Sequence, residues 1–227
     1  MAGDELLLLS GGLDSSALAV LRRPSHALTI DYGQTCAHAE ISASRMICEL
    51  LDIAHHTLVV DCTGVGGGLL AGERGPTEGS SIVEANGSAA EFWPFRNQLL
   101  VTFAAGIAYR LGVERVTLGC VSTDGDRHVD GSRDFVEAIA ALTRMQEGEV
   151  DVSAPACELT TQELIEAAGV PLDLLGWTHS CHTANLACGW CPGCLKRELV
   201  LADVAPLSRL VRRSEEHTSE LQSLTNL

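Results

Sequence analysis

Positive charge is scarce in this chain. Its 227 residues hold 15 lysines and arginines against 30 acidic residues, a formal net charge of −15 at pH 7. A surface this acidic repels phosphate backbones, which argues against a strong grip on nucleic acid unless the few cations are gathered in one place. Most of the acid reads as solvated surface carboxylate. Long apolar runs are missing as well. Leu6–Leu9 is too short for an export signal or a membrane span, and Met1–Glu5 carries acid rather than base, so a cytoplasmic protein without a membrane partner is expected. Internal repeats and an interdomain linker are also absent. With 46% apolar and 20% charged residues, the chain has the material for one globular fold with a good core.

Strand and helix signals alternate along the first half. Glu5–Leu9, His26–Tyr32, His55–Val60 and Arg115–Gly119 read as strands. Asp14–Leu21, His38–Leu51, Asn97–Leu111, Arg133–Met145, Thr161–Ala168 and Leu195–Ala202 read as helices. Ser132 is an N-cap candidate, and Thr160-x-x-Glu163 is a capping box. Gly169 and Pro171 stop the helix that this box opens. Alternation with short connections predicts an α/β fold with a doubly wound, mostly parallel sheet. Residues 63–91, rich in Gly and Ser and without periodicity, break the pattern and read as a long functional loop. The expected organisation is a nucleotide-binding α/β domain over 1–176, a small C-terminal segment over 177–213 packed on it, and a non-native tail over 214–227. Ser214–Ser223 matches the translation of a short-read sequencing adapter.

Two motifs carry chemistry. The first is Ser10-Gly11-Gly12-Leu13-Asp14-Ser15, placed where a strand ends and a helix begins. Backbone N–H groups at a helix start have no intrahelical partner and carry the positive end of the dipole, so they receive anions. The paired glycines allow a sharp turn, and Ser10 and Ser15 add hydroxyls. Asp14 is the odd residue beside a polyphosphate, and makes sense as a backbone cap or as a magnesium ligand. A plain capped turn is the structural alternative. The string is neither the Walker loop nor the dinucleotide fingerprint.

The second is Cys181-x6-Cys188-x2-Cys191-x2-Cys194. Four thiolates leave no open position for water, so a zinc ion held there is structural. An iron–sulfur cluster is the rival, since soft thiolates serve both. His179 and His182 flank Cys181 and read as supporting or solvent-facing rather than as ligands. The other five cysteines (Cys36, Cys48, Cys62, Cys120 and Cys157) are scattered singly and read as reduced thiols.

The phosphate loop resembles the PP-loop of the ATP pyrophosphatases. Further strings extend the resemblance: Asp31-Tyr32-Gly33-Gln34 with Glu40; Pro94-x-Arg96-Asn97; Gly119, Thr123-Asp124, Asp130 and Phe135; and the cysteine segment through Arg197. Together, in this order and spacing, they resemble the 7-cyano-7-deazaguanine synthase (QueC) family from about Leu6 to Arg197. The resemblance implies an adenine nucleotide alpha hydrolase-like, Rossmann-like fold. It also implies an ATP-dependent carbon–nitrogen ligase that adenylates 7-carboxy-7-deazaguanine. Ammonia then gives an amide, and a second activation gives the nitrile. Leu9, Ser10, Gly11, Gly12, Leu13, Asp14, Ser15 and Ser16 would hold ATP. Asp14, Ser15, Arg96 and Asp124 would be catalytic, and Tyr32, Gln34, Arg96, Asn97, Thr123, Asp124 and Asp130 would face the substrate. Mg²⁺ and Zn²⁺ complete the expected cofactors, and a homodimer is expected, with Trp190 either an interface anchor or merely a packing residue.

The chain departs from the family pattern at the acceptor end. Phe95 stands where the family's P-G-R-N has glycine, Asp130-Gly131-Ser132 replaces D-C-R, and Thr35-Cys36-Ala37 replaces basic and histidine residues. These changes point to a divergent paralogue. One such role is an antiphage-defence enzyme that joins a deazaguanine to a protein's N-terminal amine. A PP-loop tRNA-modifying enzyme and a non-catalytic nucleotide-binding scaffold are the further alternatives, the first opposed by the negative charge.

Overall fold

A computed structural model describes residues 3–73, 91–125 and 128–204. The tail over 214–227 and most of the long glycine-rich loop lie outside the described residues. The elements run β1 (Gly3–Leu8), α1 (Leu13–Arg22), β2 (Pro24–Asp31), α2 (Ala37–Leu51), β3 (Ala54–Val59), α3 (Arg96–Leu111), β4 (Arg115–Thr117), α4 (Ser122–Gly125), α5 (Arg133–Arg144), β5 (Asp151–Ser153), α6 (Thr161–Ala168), α7 (Leu172–Gly176) and α8 (Pro192–Val204). The five strands form one sheet in the order β3-β2-β1-β4-β5, and every pairing is parallel. The sheet is thus wholly parallel where a mostly parallel one was expected.

The leucine run of β1 follows from its central place. A strand covered on both faces has no use for alternation. Leu6 joins a cluster with Val101, Ala104 and Ala108 of α3 and Val136 and Ile139 of α5. Leu7 and Leu9 join the opposite cluster, with Leu18 of α1, Ile47 of α2, Leu164 of α6 and Val200 of α8. The chain winds outward from β1 through β2 to β3, then returns to place β4 on the other side of β1. The strand order therefore reverses between β1 and β4, and ligands of open parallel sheets bind in the crevice beyond the strand ends at that point.

Glu5 is a carboxylate sealed in this core, 1% exposed. It accepts from Arg22 Nε at 3.0 Å and Nη2 at 3.2 Å and from Thr117 Oγ1 at 2.8 Å, tying β1 to α1 and β4. Arg22→Met is expected to lower stability by about 2 kcal/mol, below the usual cost of breaking a buried pair because water reaches the arginine side. A urea midpoint equal to that of the unmodified chain would show that the pair contributes nothing.

The capping box at Thr160 and Glu163 forms as expected, and the Ser132 side chain caps α5 by accepting from Phe135 N–H. Three short elements escaped sequence reasoning: β5, α4 and α7. Three to five residues are too few to display a period, and only packing against β4 makes a strand of Asp151–Ser153. The helix that the box opens stops at Ala168 with Gly169 as its cap, as expected, and Pro171 then opens α7 as its N-cap residue. Among the described residues no helix is long and apolar enough to cross a membrane.

Candidate functional site

The turn between β1 and α1 lies at the switch point, and other elements hold it. The Leu9 carbonyl accepts from Thr29 Oγ1 of β2 at 2.7 Å and from Ser44 Oγ of α2 at 3.0 Å. The Gly11 carbonyl accepts from the His179 N–H at 2.8 Å. Gly11 sits at φ 73°, and a Cβ there would lie 2.7 Å from the Ala43 Cβ. Glycine is needed here because α2 crosses so close, not to admit a ligand. Ser16 Oγ donates to the Gly12 carbonyl at 2.6 Å, and Ser10 Oγ meets Ser15 Oγ at 3.2 Å. Leu9, Ser10, Gly12, Leu13, Asp14 and Ser15 line one cavity. Gly11 and Ser16 lie behind it and hold the turn.

That cavity measures about 370 Å³, within the range of small-molecule sites. Its far wall carries Tyr32, Glu40, Arg96 and Asn97, and Glu91 and His128 also border it. Burial opposes the Arg96 charge, but Tyr32, Asp130 and Glu40 outweigh it and hold the guanidinium protonated. Burial pushes the Tyr32 phenol up. It also pushes the Glu40 carboxyl up, against the opposing pull of its bond from Gln34. Glu91 and His128 pair at 3.3 Å.

Some expected substrate readers turn out to support their neighbours. Gln34 is buried and does not reach the cavity: its Oε1 accepts from the Tyr32 N–H at 2.8 Å, while its Nε2 donates to the Ile30 carbonyl at 3.0 Å and to Glu40 Oε2 at 2.8 Å. It fixes Glu40, which does line the wall. Asp130 likewise lies off the cavity. Its carboxylate accepts from the Asn97 N–H at 3.2 Å and its carbonyl from Asn97 Nδ2 at 2.8 Å, so it caps the start of α3. Thr123 is exposed and off the wall, while its neighbour Asp124 is on it. Phe95, in place of the family's glycine, keeps the left-handed backbone that a glycine would favour, at φ 57°. Its ring is 72% exposed beside Arg96, so the strain is not offset by burial.

The largest addition from the structure is Lys196. Its Nζ lies 2.9 Å from Asp14 Oδ2 and 3.6 Å from Asp124 Oδ1, on the cavity wall. Asp14 Oδ1 also accepts from Thr161 Oγ1 at 2.6 Å. Burial pushes the Asp14 carboxyl up, and Lys196 pulls it part of the way back. The sequence did hold a signal: Lys196 is the chain's only lysine beside fourteen arginines.

The four cysteines meet as their spacing predicts. Their sulfurs all lie within 4.8 Å of one another, with Cys188 and Cys194 at 3.9 Å and Cys181 and Cys191 at 4.0 Å. The His182 N–H points to Cys191 Sγ, and the Cys191 N–H to Cys188 Sγ, both at 3.4 Å. This cluster could hold a metal ion. His179 and His182 take no place in it; both line the cavity. The cysteine arm is therefore also part of the site wall. Thr35 Oγ1 donates to the His182 carbonyl at 3.0 Å, and the Ala39 N–H to Asn185 Oδ1 at 2.9 Å. At the start of α8, a side chain on Gly193 would overlap the Ser180 carbonyl.

Comparison with known proteins finds relatives over most of the chain. A family model described as queuosine biosynthesis protein QueC matches residues 4–205. The 7-cyano-7-deazaguanine synthase of Methanothermobacter thermautotrophicus is 31% identical over 205 residues, covering 84% of this chain and 90% of the relative. That of Chromobacterium violaceum is 29% identical over 97% of this chain and 99% of its own. 7-Cyano-7-deazaguanine synthase 1 of Desulfitobacterium hafniense is 33% identical over 85% and 89%. Among solved structures, the U34-tRNA thiolase NcsA from Methanococcus maripaludis with its [4Fe-4S] cluster has a TM-score of 0.48 at 15% identity, over 95% of this chain and 71% of that one. With a glycine-bearing turn at the sheet's switch point, a four-cysteine arm packed against it and a family match over residues 4–205, the chain belongs to the QueC family of queuosine biosynthesis proteins.

Proposed function

We propose that the chain is an ATP-dependent enzyme that adenylates the carboxylate of 7-carboxy-7-deazaguanine and passes the acyl group to a nitrogen nucleophile. With ammonia the product is the amide, and a second activation of the amide oxygen gives 7-cyano-7-deazaguanine. The carrying observation is the single cavity that joins the phosphate loop to the wall of Tyr32, Glu40, Arg96 and Asn97. One end suits a triphosphate, and the other offers a cation and acceptors to an acidic, purine-like heterocycle. In the first step a carboxylate oxygen bonds to the α-phosphorus, the bond from that phosphorus to the bridging oxygen breaks, and pyrophosphate leaves with the electron pair. The chain's part is positioning and charge neutralisation. Backbone N–H groups after Gly12 face the phosphates, and Arg96 steadies the carboxylate.

Two metals belong to this reading. Asp14 and Asp124 already aim their oxygens at one cationic group, which suits them to Mg²⁺, whose charge would offset that of the triphosphate. For the cysteine cluster we favour Zn²⁺. A tetrahedron of thiolates around zinc places its sulfurs roughly 3.8 Å apart, close to the 3.9 and 4.0 Å found here. A four-iron cluster gives each thiolate a separate iron and spreads them further. The protein would act in the cytoplasm as a homodimer, with Trp190, 52% exposed on the arm, as an anchor. The domain division at about residue 176 is part of the same reading. So is a divergent role: the exposed Phe95 ring beside Arg96 favours a protein amine as the alternative nucleophile, as in antiphage conjugation.

Incubation with ATP and 7-carboxy-7-deazaguanine is expected to release pyrophosphate and AMP only when both are present. Mass spectrometry then separates nitrile, free amide and protein conjugate. No pyrophosphate release and no calorimetric binding of either compound would overturn the reading.

A further inference from the structure

We propose that Lys196 is a catalytic residue of the adenylating step, the cation that meets the triphosphate where the α-phosphorus bond breaks. The inference rests on the adenylation reading above and assigns it a residue outside the loop itself.

Lys196 is the only lysine in the chain. Every other fixed cationic side chain is an arginine, so the compact, freely turning ammonium occurs once, and it occurs on the wall of the phosphate cavity. In the free protein it lies between two carboxylates, at 2.9 Å from Asp14 and 3.6 Å from Asp124. These acids would repel an incoming triphosphate, and the loop's backbone N–H groups carry only partial charge. The two other strong bases on the wall are engaged or distant. Arg197 donates from Nε to Thr178 Oγ1 at 3.2 Å and from Nη2 to the Leu175 carbonyl at 3.2 Å. Arg96 stands on the opposite wall with Tyr32 and Glu40. Among the described residues, Lys196 is thus the full positive charge on the phosphate side.

The fold also shows how it is delivered. α8 begins at Pro192, directly after Cys191, and includes Cys194. The arm docks on the loop through the His179 N–H and the Gly11 carbonyl. The anchored Arg197 next to it sets the rotation of the helix, so Lys196 faces Asp14. A short pivot of its four-carbon stem carries the ammonium from the carboxylates to the phosphate oxygens. There it balances the negative charge that gathers as pyrophosphate leaves with the electron pair. No proton moves in this step, and the ammonium keeps all three of its own.

The test compares the unmodified chain with Lys196→Met, Lys196→Ala and Lys196→Arg in ATP–pyrophosphate exchange driven by 7-carboxy-7-deazaguanine, with circular dichroism and metal content recorded for each. The Met variant is expected to lose exchange turnover by about 100-fold or more, the scale of removing one transition-state charge partner, while its KM for ATP changes only a few-fold. In a Lys196→Ala variant, whose shortened side chain leaves room for a small alkylammonium, added ethylamine should restore at least about ten-fold of the loss. Arginine, broader and forked, is expected to restore less than the amine does. Exchange in the Met variant within threefold of the unmodified rate would overturn the assignment, and so would a loss in the Ala variant that amines leave untouched. If the unmodified chain itself shows no exchange, the substrate reading fails instead, and the two failures are told apart by that control.

Discussion

Asp14→Asn is expected to reduce AMP formation by about a thousand-fold while leaving the fold intact. The physical basis is that one carboxylate serves two partners in a poorly solvated place. Its Oδ1 accepts from Thr161 at 2.6 Å and its Oδ2 faces Lys196 at 2.9 Å. Asparagine has the same shape and keeps the Thr161 bond, so the start of α1 stays in place. Its amide, however, either turns a donor toward the ammonium or offers it only a neutral oxygen. It also removes the negative charge expected to hold magnesium beside the phosphates. A loss of positioning and neutralisation together is worth about 4 kcal/mol in the barrier, which is a factor of about a thousand. AMP measured by chromatography, with thermal melting as the control for folding, checks this. Full activity in the variant would remove Asp14 from the chemistry. Burial also sets a pH signature. Because it pushes the Asp14 carboxyl above its ordinary value, the activity of the unmodified chain should begin to fall at a higher pH than an ordinary aspartate would impose on the acid side.

Cys191→Ser is expected to abolish metal binding at the cluster and most of the activity together. Cys191 is fully buried and sits at the joint between the arm and α8. Serine cannot supply a soft thiolate, and its hydroxyl would be left in an apolar place. Structural zinc contributes on the order of 10 kcal/mol of apparent binding energy at neutral pH, more than the margin by which most domains are folded. Local loss of the arm has a second effect. It frees α8, and with it Lys196 from Asp14 and the His179 N–H from the phosphate loop. Metal content by elemental analysis, the melting profile and pyrophosphate release should therefore fall in parallel. Chelation of the unmodified chain should give the same set of changes. A Cys191→Ser protein that melts normally and retains its turnover would show that the cluster is not structural.

What could be read along the chain, and what could not, divides by distance in sequence. The phosphate loop spans six adjacent residues and the four cysteines fourteen, so residue type and spacing already state their geometry. The same holds for the capping box at Thr160 and for β1, whose unbroken leucines announce burial on both faces. Gln34 and Asp130 show where such reading ends. Their amide and carboxylate are suited to a purine-like ring, but the direction of each side chain depends on the turn that carries it. The turn directs one to Glu40 and the other to Asn97. Short elements such as β5 exist only because a neighbouring strand offers hydrogen bonds.

By itself, then, the amino-acid order determined the winding of the sheet, the phosphate turn and the thiolate cluster, because each rests on periodicity or on ligands a few residues apart. Only the tertiary structure decided that these two motifs make one site. Lys196 and Asp14 are 182 positions apart, and no local rule reports such a meeting. It arises because α6 and α8 pack beside α1 on the same face of the sheet, a placement fixed by the burial of their apolar sides rather than by the polar residues of the cavity wall.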